Sequence, residues 1–453
     1  MRARRTVAKG RLHRGVCQAA SLVGGNRSAS QGHQASNTEQ HRTHHHRRTG
    51  LSTGCALALL FHAAAALGQS PHQREPVAAA PAVAAAPNID IGAGAEIAVY
   101  NDSSAVTVVS PSANASVSAR AGQWSAQGHY LADIVSAASV DIVSTASSRW
   151  TEVRHEAALS ARYASGNAGV RANIAGSREP DYTFLGAGML VDLSLRKRSV
   201  NPVFGYSFAH DTAGRTGTPF SIFSQELARH TLTIGSELVL DRSTLLFLEL
   251  DAVLELGDPS KPYRFLPTFS STVAPLVRPG ASLAEVNQLR SAGKLSERVP
   301  ERRLRYALLG RLSRRLARGT FQAAERLYLD DWGLAAASSD LRYLLDVGSR
   351  WVAWGSARGH VQTGVYFWDR AYVVGIGDGR VTVPEYRTGD RELSPLLSAS
   401  LGLGVRFGFG PASARQSRGI AFQYDITATT FRDALYLDSR LAQLGILQVE
   451  AEF

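Results

Sequence analysis

The sequence predicts an all-β protein: a single-chain, antiparallel transmembrane β-barrel of about 14 strands, within about 12 to 16. Three observations predict it. Segments of about ten residues alternate apolar and polar with period two through residues 89–453, separated by Gly, Asp, Asn, Ser and Arg turns. Their polar faces carry Glu, Asp and Arg at strand centres, and they are long enough for a tilted bilayer crossing. The last segment, Leu441–Phe453, sets Gly445, Leu447, Val449, Ala451 and Phe453 on one face. An aromatic end residue on an apolar strand face matches the assembly signal of bacterial outer-membrane barrels, so Phe453 is the candidate signal.

Residues 1–50 read as a disordered basic leader, rich in Arg, His, Ser and Gly and without periodicity. The tract Arg42, His44, His45, His46, Arg47, Arg48 reads as solvated charge, since no scaffold fixes a metal geometry. Residues 51–68 read as a signal-peptide core and cleavage site. The apolar run Cys55–Leu67 is too short for a helical span and ends at Ala66-Leu67-Gly68. Residues 69–88 read as an Ala/Pro-rich linker and 89–453 as the barrel. Most of the formal charge of +11 sits at the start of the chain: residues 1–68 hold ten of the 49 Lys+Arg and one of the 38 Asp+Glu, a net of +9. Cys17 and Cys55 lie there too, so the body has no cysteine. This excludes a disulfide scaffold, a thiol nucleophile, a Cys-based zinc site and a basic nucleic-acid binder.

Within the barrel, Thr183–Leu195 places Leu185, Ala187, Met189, Val191 and Leu193 on one face and Gly186, Gly188 and Asp192 on the other. Leu397–Phe409 and Ile420–Ala428 alternate in the same way. Two hairpins concentrate charge on their inward faces. One joins Arg305–Ala317 to Phe321–Leu329 around Arg318-Gly319-Thr320 and turns Arg305, Arg311, Arg315 and Arg326 inward. A turn of that length sets Arg314 and Glu325, both on the lipid face, opposite one another as a pair. The other joins His230–Leu240 to Thr244–Leu254 through Asp241-Arg242-Ser243 and turns Glu237, Glu249 and Asp251 inward. Basic and acidic walls facing one another would set up a transverse field in a water-filled lumen.

One long loop, 256–303, is expected between these hairpins as a lid, an external binding loop or an inward constriction, with a Ser-capped amphipathic stretch at Ser282–Leu295. Trp351, Trp354, Tyr366, Trp368 and Tyr372 read as an interfacial aromatic girdle. Asp133–Ser139 is nearly repeated at Asp141–Ser147; a Ser/Asp-rich turn explains this better than a Ca²⁺ site.

Several runs resemble one family of bacterial outer-membrane proteins known by its domain of unknown function, DUF3570. They are Tyr100-Asn101-Asp102, Val106-Thr107-Val108, Tyr130–Ser139, Gly257–Arg264 and Arg387–Leu393. The resemblance implies a β-barrel and assigns no substrate or functional residue.

No enzyme is expected. His72, His129, His155, His210, His230 and His360 make no HExxH pattern, and no cofactor, metal or nucleotide motif appears. The expected function is a pore or conduit for small polar or charged solutes, lined by Arg and carboxylates. The alternative is a non-conducting structural or surface-binding barrel with a charge-sealed lumen. The expected location is the bacterial outer membrane. Expected partners are its lipid and lipopolysaccharide, the barrel-assembly machinery and periplasmic chaperones, with no nucleic acid.

Overall fold

A computed structural model describes residues 89–104, 106–119, 122–137, 150–377, 380–410 and 417–453. The leader, signal peptide and linker expected over 1–88 lie outside these residues, as does the second copy of the duplicated segment, Asp141–Ser147. The first half of the barrel wall is β1 (Ile89–Asp102), β2 (Val106–Ala119), β3 (Trp124–Ala137), β4 (Trp150–Ser165), β5 (Ala168–Glu179), β6 (Tyr182–Leu193), β7 (Val200–Ala213) and β8 (Gln225–Val239). It continues with β9 (Thr244–Gly257), then, after the short strands β10 (Phe265–Pro267) and β11 (Lys294–Ser296), with β12 (Arg302–Leu316), β13 (Gly319–Asp330), β14 (Ala335–Val347) and β15 (Trp351–Gln362). After the short β16 (Gly375–Gly377) and β17 (Arg380–Thr382), β18 (Leu396–Gly408), β19 (Gly419–Phe431) and β20 (Ser439–Glu452) complete it.

Sixteen of these strands form one closed antiparallel barrel, each hydrogen-bonded to its neighbours and β20 to β1. Closure removes every free edge, which a strand must do in a medium that cannot hydrogen-bond its backbone. No helix of the described residues is long and apolar enough to cross a membrane; the strands do so instead. Period-two alternation sets the two faces. On β9, Leu248 and Leu250 point out and are exposed, while Glu249, Asp251 and Glu255 point in and are buried. The outer surface carries Leu, Ile, Val, Phe and Tyr on every wall strand from β3 to β9, the belt that lipid solvates.

The barrel ends differ. Turns 166–167, 240–243, 317–318 and 348–350 lie at the end where β1 starts and β20 finishes, while 214–224, 258–301, 363–395 and 432–438 lie at the other. Short turns are periplasmic and long loops external in such barrels, so the long-loop end is the outer mouth. The Asp241 turn is closed by its own carboxylate, which accepts from the Ser243 N–H and hydroxyl at 2.7 Å each.

The β12–β13 turn is shorter than expected. Leu316 pairs with Gly319, so only Ala317 and Arg318 lie between the strands. Arg314 is therefore opposite Phe321, and Glu325 opposite Gly310; the expected Arg314–Glu325 pair does not form. A glycine makes the tight closure possible, since a Cβ at Gly319 would lie 2.3 Å from the Leu344 carbonyl oxygen. Glu325 stays on the outer face, where the Ser339 hydroxyl donates to it at 2.5 Å.

Candidate functional site: the charged lumen and its cap

The inner wall carries charged side chains from mouth to base, interrupted by apolar clusters such as Leu344, Val352, Trp354 and Ala421, and its character changes with height. Near the mouth it is a set of buried ion pairs. Arg154 reaches Asp133 at 2.5 Å, and Asp133 also accepts from Ser110 at 2.6 Å. Arg229 reaches Asp211 at 2.5 Å, and Arg305 reaches Glu255 at 2.7 Å. Arg303 donates to Asp330 at 2.9 Å, lies 4.1 Å over the Trp332 ring, and shares Asp330 with the Tyr328 hydroxyl. At mid-height the wall is less closely packed. Asp340 and Arg358 face each other across β14–β15 at 3.7 Å, with side chains 45 % and 43 % exposed although they point inward.

Above the mouth, loops 258–301 and 363–395 fold together into a cap. Backbone bonds join Phe269 to Tyr372 and Val374, and Arg298 to Arg387 in both directions. Phe269, Val277, Ala281, Val286 and Ala371 form one apolar core; Val299, Trp332, Leu334, Val365 and Phe367 form another. The short helix α1 (Leu283–Leu289) is started by a capping box between Ser282 and Glu285, and buries Val286. Loop 258–301 also reaches both sides of the rim. The Tyr263 hydroxyl donates to Asp181 at 3.0 Å on the β5–β6 turn; on the β19–β20 side the Gly280 N–H donates to the Ala434 carbonyl and the Ala281 carbonyl accepts from the Tyr436 N–H. The expected long loop therefore lies across the mouth. A second long loop, 363–395, joins it in the cap; its short strands β16 and β17 pair with each other outside the wall.

Arg264 is the centre of the cap. Its guanidinium reaches Glu297 and Asp390 at 2.9 Å each. Glu297 accepts further from Thr388 at 2.5 Å and from the Lys261 N–H at 2.7 Å. Burial opposes ionisation of Asp390, yet Arg264 and Lys261 outweigh it and hold the carboxyl below its ordinary value. Burial pushes the Tyr372 hydroxyl up to about 12. It stays a protonated donor, to the carbonyls of Phe367 and Thr388.

All seven residues singled out for the lumen point inward. Arg305, Glu249 and Asp251 are buried; Asp251 accepts from Thr233 at 2.6 Å. Arg311 lies 5.2 Å over the Phe247 ring, Glu237 is opposite Phe247, and Arg326 is opposite Leu309. Arg315 sits at the base, half-exposed and paired with Asp346. The two charged hairpins do not face one another across the lumen. β9 is hydrogen-bonded to β12, so acid and base are neighbours on one wall, joined there by the Arg305–Glu255 pair, and do not face one another across the lumen as expected. The sequence reading did not single out Asp340, Arg342 and Arg358, although period-two alternation along β14 and β15 puts them on the inner face.

The aromatic girdle is also corrected. Only Trp351 points outward from the wall; Trp354 points inward with Leu344, Val352 and Ala421, and Tyr366, Trp368 and Tyr372 belong to the cap loop. Phe453 follows β20 on the outer face, 67 % exposed, with backbone bonds to Ile91. Among the described residues no group of three or more His, Cys, Asp or Glu side chains could hold a metal.

A closed wall with an apolar exterior, a charged interior and a folded outer cap defines a transmembrane β-barrel of the outer-membrane type. Residues 228–419, from β8 to the first residue of β19, match the family described as a protein of unknown function, DUF3570. No curated protein matches the chain. Among solved structures, the siderophore receptor PirA from Acinetobacter baumannii aligns at 11 % identity with a TM-score of 0.38, covering 75 % of this chain and 53 % of the receptor. The chain thus spans about half that receptor's length. OccD3 (OpdP) from Pseudomonas aeruginosa aligns at 8 % identity and a TM-score of 0.41, over 81 % of this chain and 92 % of that one. PirA from Pseudomonas aeruginosa aligns at 10 % identity and 0.40, over 81 % and 65 %.

Proposed function

We propose that this barrel is a conduit for small polar or charged solutes, closed at its outer mouth by the cap. One observation carries the reading: Asp340 and Arg358 point into the barrel at mid-strand and remain nearly half exposed. A plugged interior would have covered them, since charges sealed in protein are buried with their partners. Arg311, Arg326, Asp340 and Arg358 then line a wet, charged passage that accepts polar solutes and rejects apolar ones. In the same reading the leader directs export, and the assembly machinery reads Phe453 on the lipid face of β20.

The buried ion pairs beneath the cap favour a second reading, a barrel permanently sealed at its mouth. Single-channel recording in planar bilayers separates the two. The conduit reading expects stepwise current that increases when the cap is unlocked by Arg264→Ala. Silence from both wild type and variant, each shown to be folded and inserted, would establish the sealed barrel.

A further inference from the structure

The outer surface carries one charge constellation that the lumen does not use. Arg178, one residue before the mouth end of β5, points outward and is exposed. Among the described residues it has neither an ion-pair nor a hydrogen-bond partner. Directly opposite it on β4, on the same face, is His155. The Tyr130 hydroxyl lies 2.7 Å from His155 Nδ1, with the two rings stacked at 6.2 Å. With Tyr130 donating to Nδ1, the imidazole carries its hydrogen on Nε2 and has that group left to donate. Thr183 and Thr212 extend the polar row across β6 and β7.

The row lies near the mouth edge of the apolar belt, with only Ile134 and Val153 beyond it on β3 and β4 among the exposed large apolar side chains of those strands. Leu159, Ile174 and Leu185, further towards the membrane on β4, β5 and β6, are each more than half exposed. The neighbouring carboxylates are committed elsewhere: Glu179 points inward and is buried, and Asp181 accepts from Thr216 and Tyr263. An unpaired guanidinium beside an imidazole donor, at headgroup depth and above lipid-facing leucines, matches a phosphate joined to acyl chains.

We infer that Arg178 and His155, oriented by Tyr130, seat the phosphate of an outer-leaflet glycolipid on the β3–β5 face. The site is independent of whether the lumen conducts. Arg178 supplies a two-pronged donor, His155 a single one, and the belt beneath holds the acyl chains. A second Tyr–His pair with the same diagonal offset, Tyr206 and His230 at 2.9 Å, has Leu254 where the first has Arg178. It provides an internal comparison lacking the guanidinium.

The test titrates full-length protein, folded in detergent, with bisphosphorylated lipid A and counts adducts by native mass spectrometry. Wild type is expected to retain lipid A, and Arg178→Leu and His155→Leu to bind at least about tenfold more weakly, the loss of one charge-assisted contact. His230→Leu should bind as wild type. Heat-modifiable gel mobility reports folding; if Arg178→Leu does not fold, Arg178→Lys replaces it, with partial loss expected from the missing fork. Equal affinity of wild type and the Arg178 variant overturns the proposal, as does equal retention of dephosphorylated lipid A. Full displacement of lipid A by inorganic phosphate would assign the site to the free ion and also overturn it.

Discussion

Arg264 shows how much one side chain can hold. Its two carboxylate partners come from positions 33 and 126 residues away, and the triad joins the two cap loops. Replacing Arg264 by Ala removes the main counter-charge of the buried Glu297 and Asp390, which costs about 3–5 kcal/mol. The expected outcome is faster hydrogen exchange of the loop 258–301 amides with unchanged exchange in the wall strands. At α1 a smaller effect is readable by pH. The hydroxyl and N–H of Ser282, together with Arg278, hold the Glu285 carboxyl down to about 2. This depressed group favours the folded cap above its ordinary value of 4.5, and the contribution is lost as pH falls through about 2. In Ser282→Ala the Glu285 titration followed by NMR should move up toward 4.5.

At the scale of elements, hairpin closure decides register, and register decides which charges meet. Alternation along β12 and β13 was legible because a period of two admits only two choices of face, and lipid on one side selects between them. The turn was not legible: Arg318-Gly319-Thr320 is compatible with several closures, and the close approach of Gly319 to the Leu344 carbonyl depends on β14, a later strand. Gly319→Val should therefore lower the urea midpoint of the folded barrel in lipid vesicles, with a loss of about 1–3 kcal/mol from overpacking. A second element carries the closing seam. Phe453→Ser should reduce the amount of barrel assembled in cells while the purified chain still refolds in detergent, because the ring lies on the lipid face. Wild-type surface levels would count against that role.

For the whole molecule, the decisive question is whether the charged wall lines a passage or a seal. Reversing Arg311 and Arg315 to Glu changes the lower wall, where Arg315 pairs with Asp346 and Arg311 covers Phe247. A water-filled lumen predicts a reversal potential shifted toward cations in a barrel that stays folded, since the outward leucines are untouched. A sealed lumen predicts lost thermal stability and no current, because buried carboxylates would then face added negative charge. Bilayer recording and thermal scans of the one double variant distinguish these outcomes.

The alternating faces of the strands and the transmembrane barrel class were legible in the amino-acid order alone. Each follows from local alternation against two solvents, lipid outside and polar lumen inside. That β9 and β12 are neighbours and that two loops interlock over the mouth became visible only in the closed barrel. Those facts depend on closing a ring of sixteen strands and on contacts between loops more than 60 residues apart, such as Arg370 with Asp433. Short-range periodicity carries no information about them, because loop contacts are selected by packing and charge between distant segments.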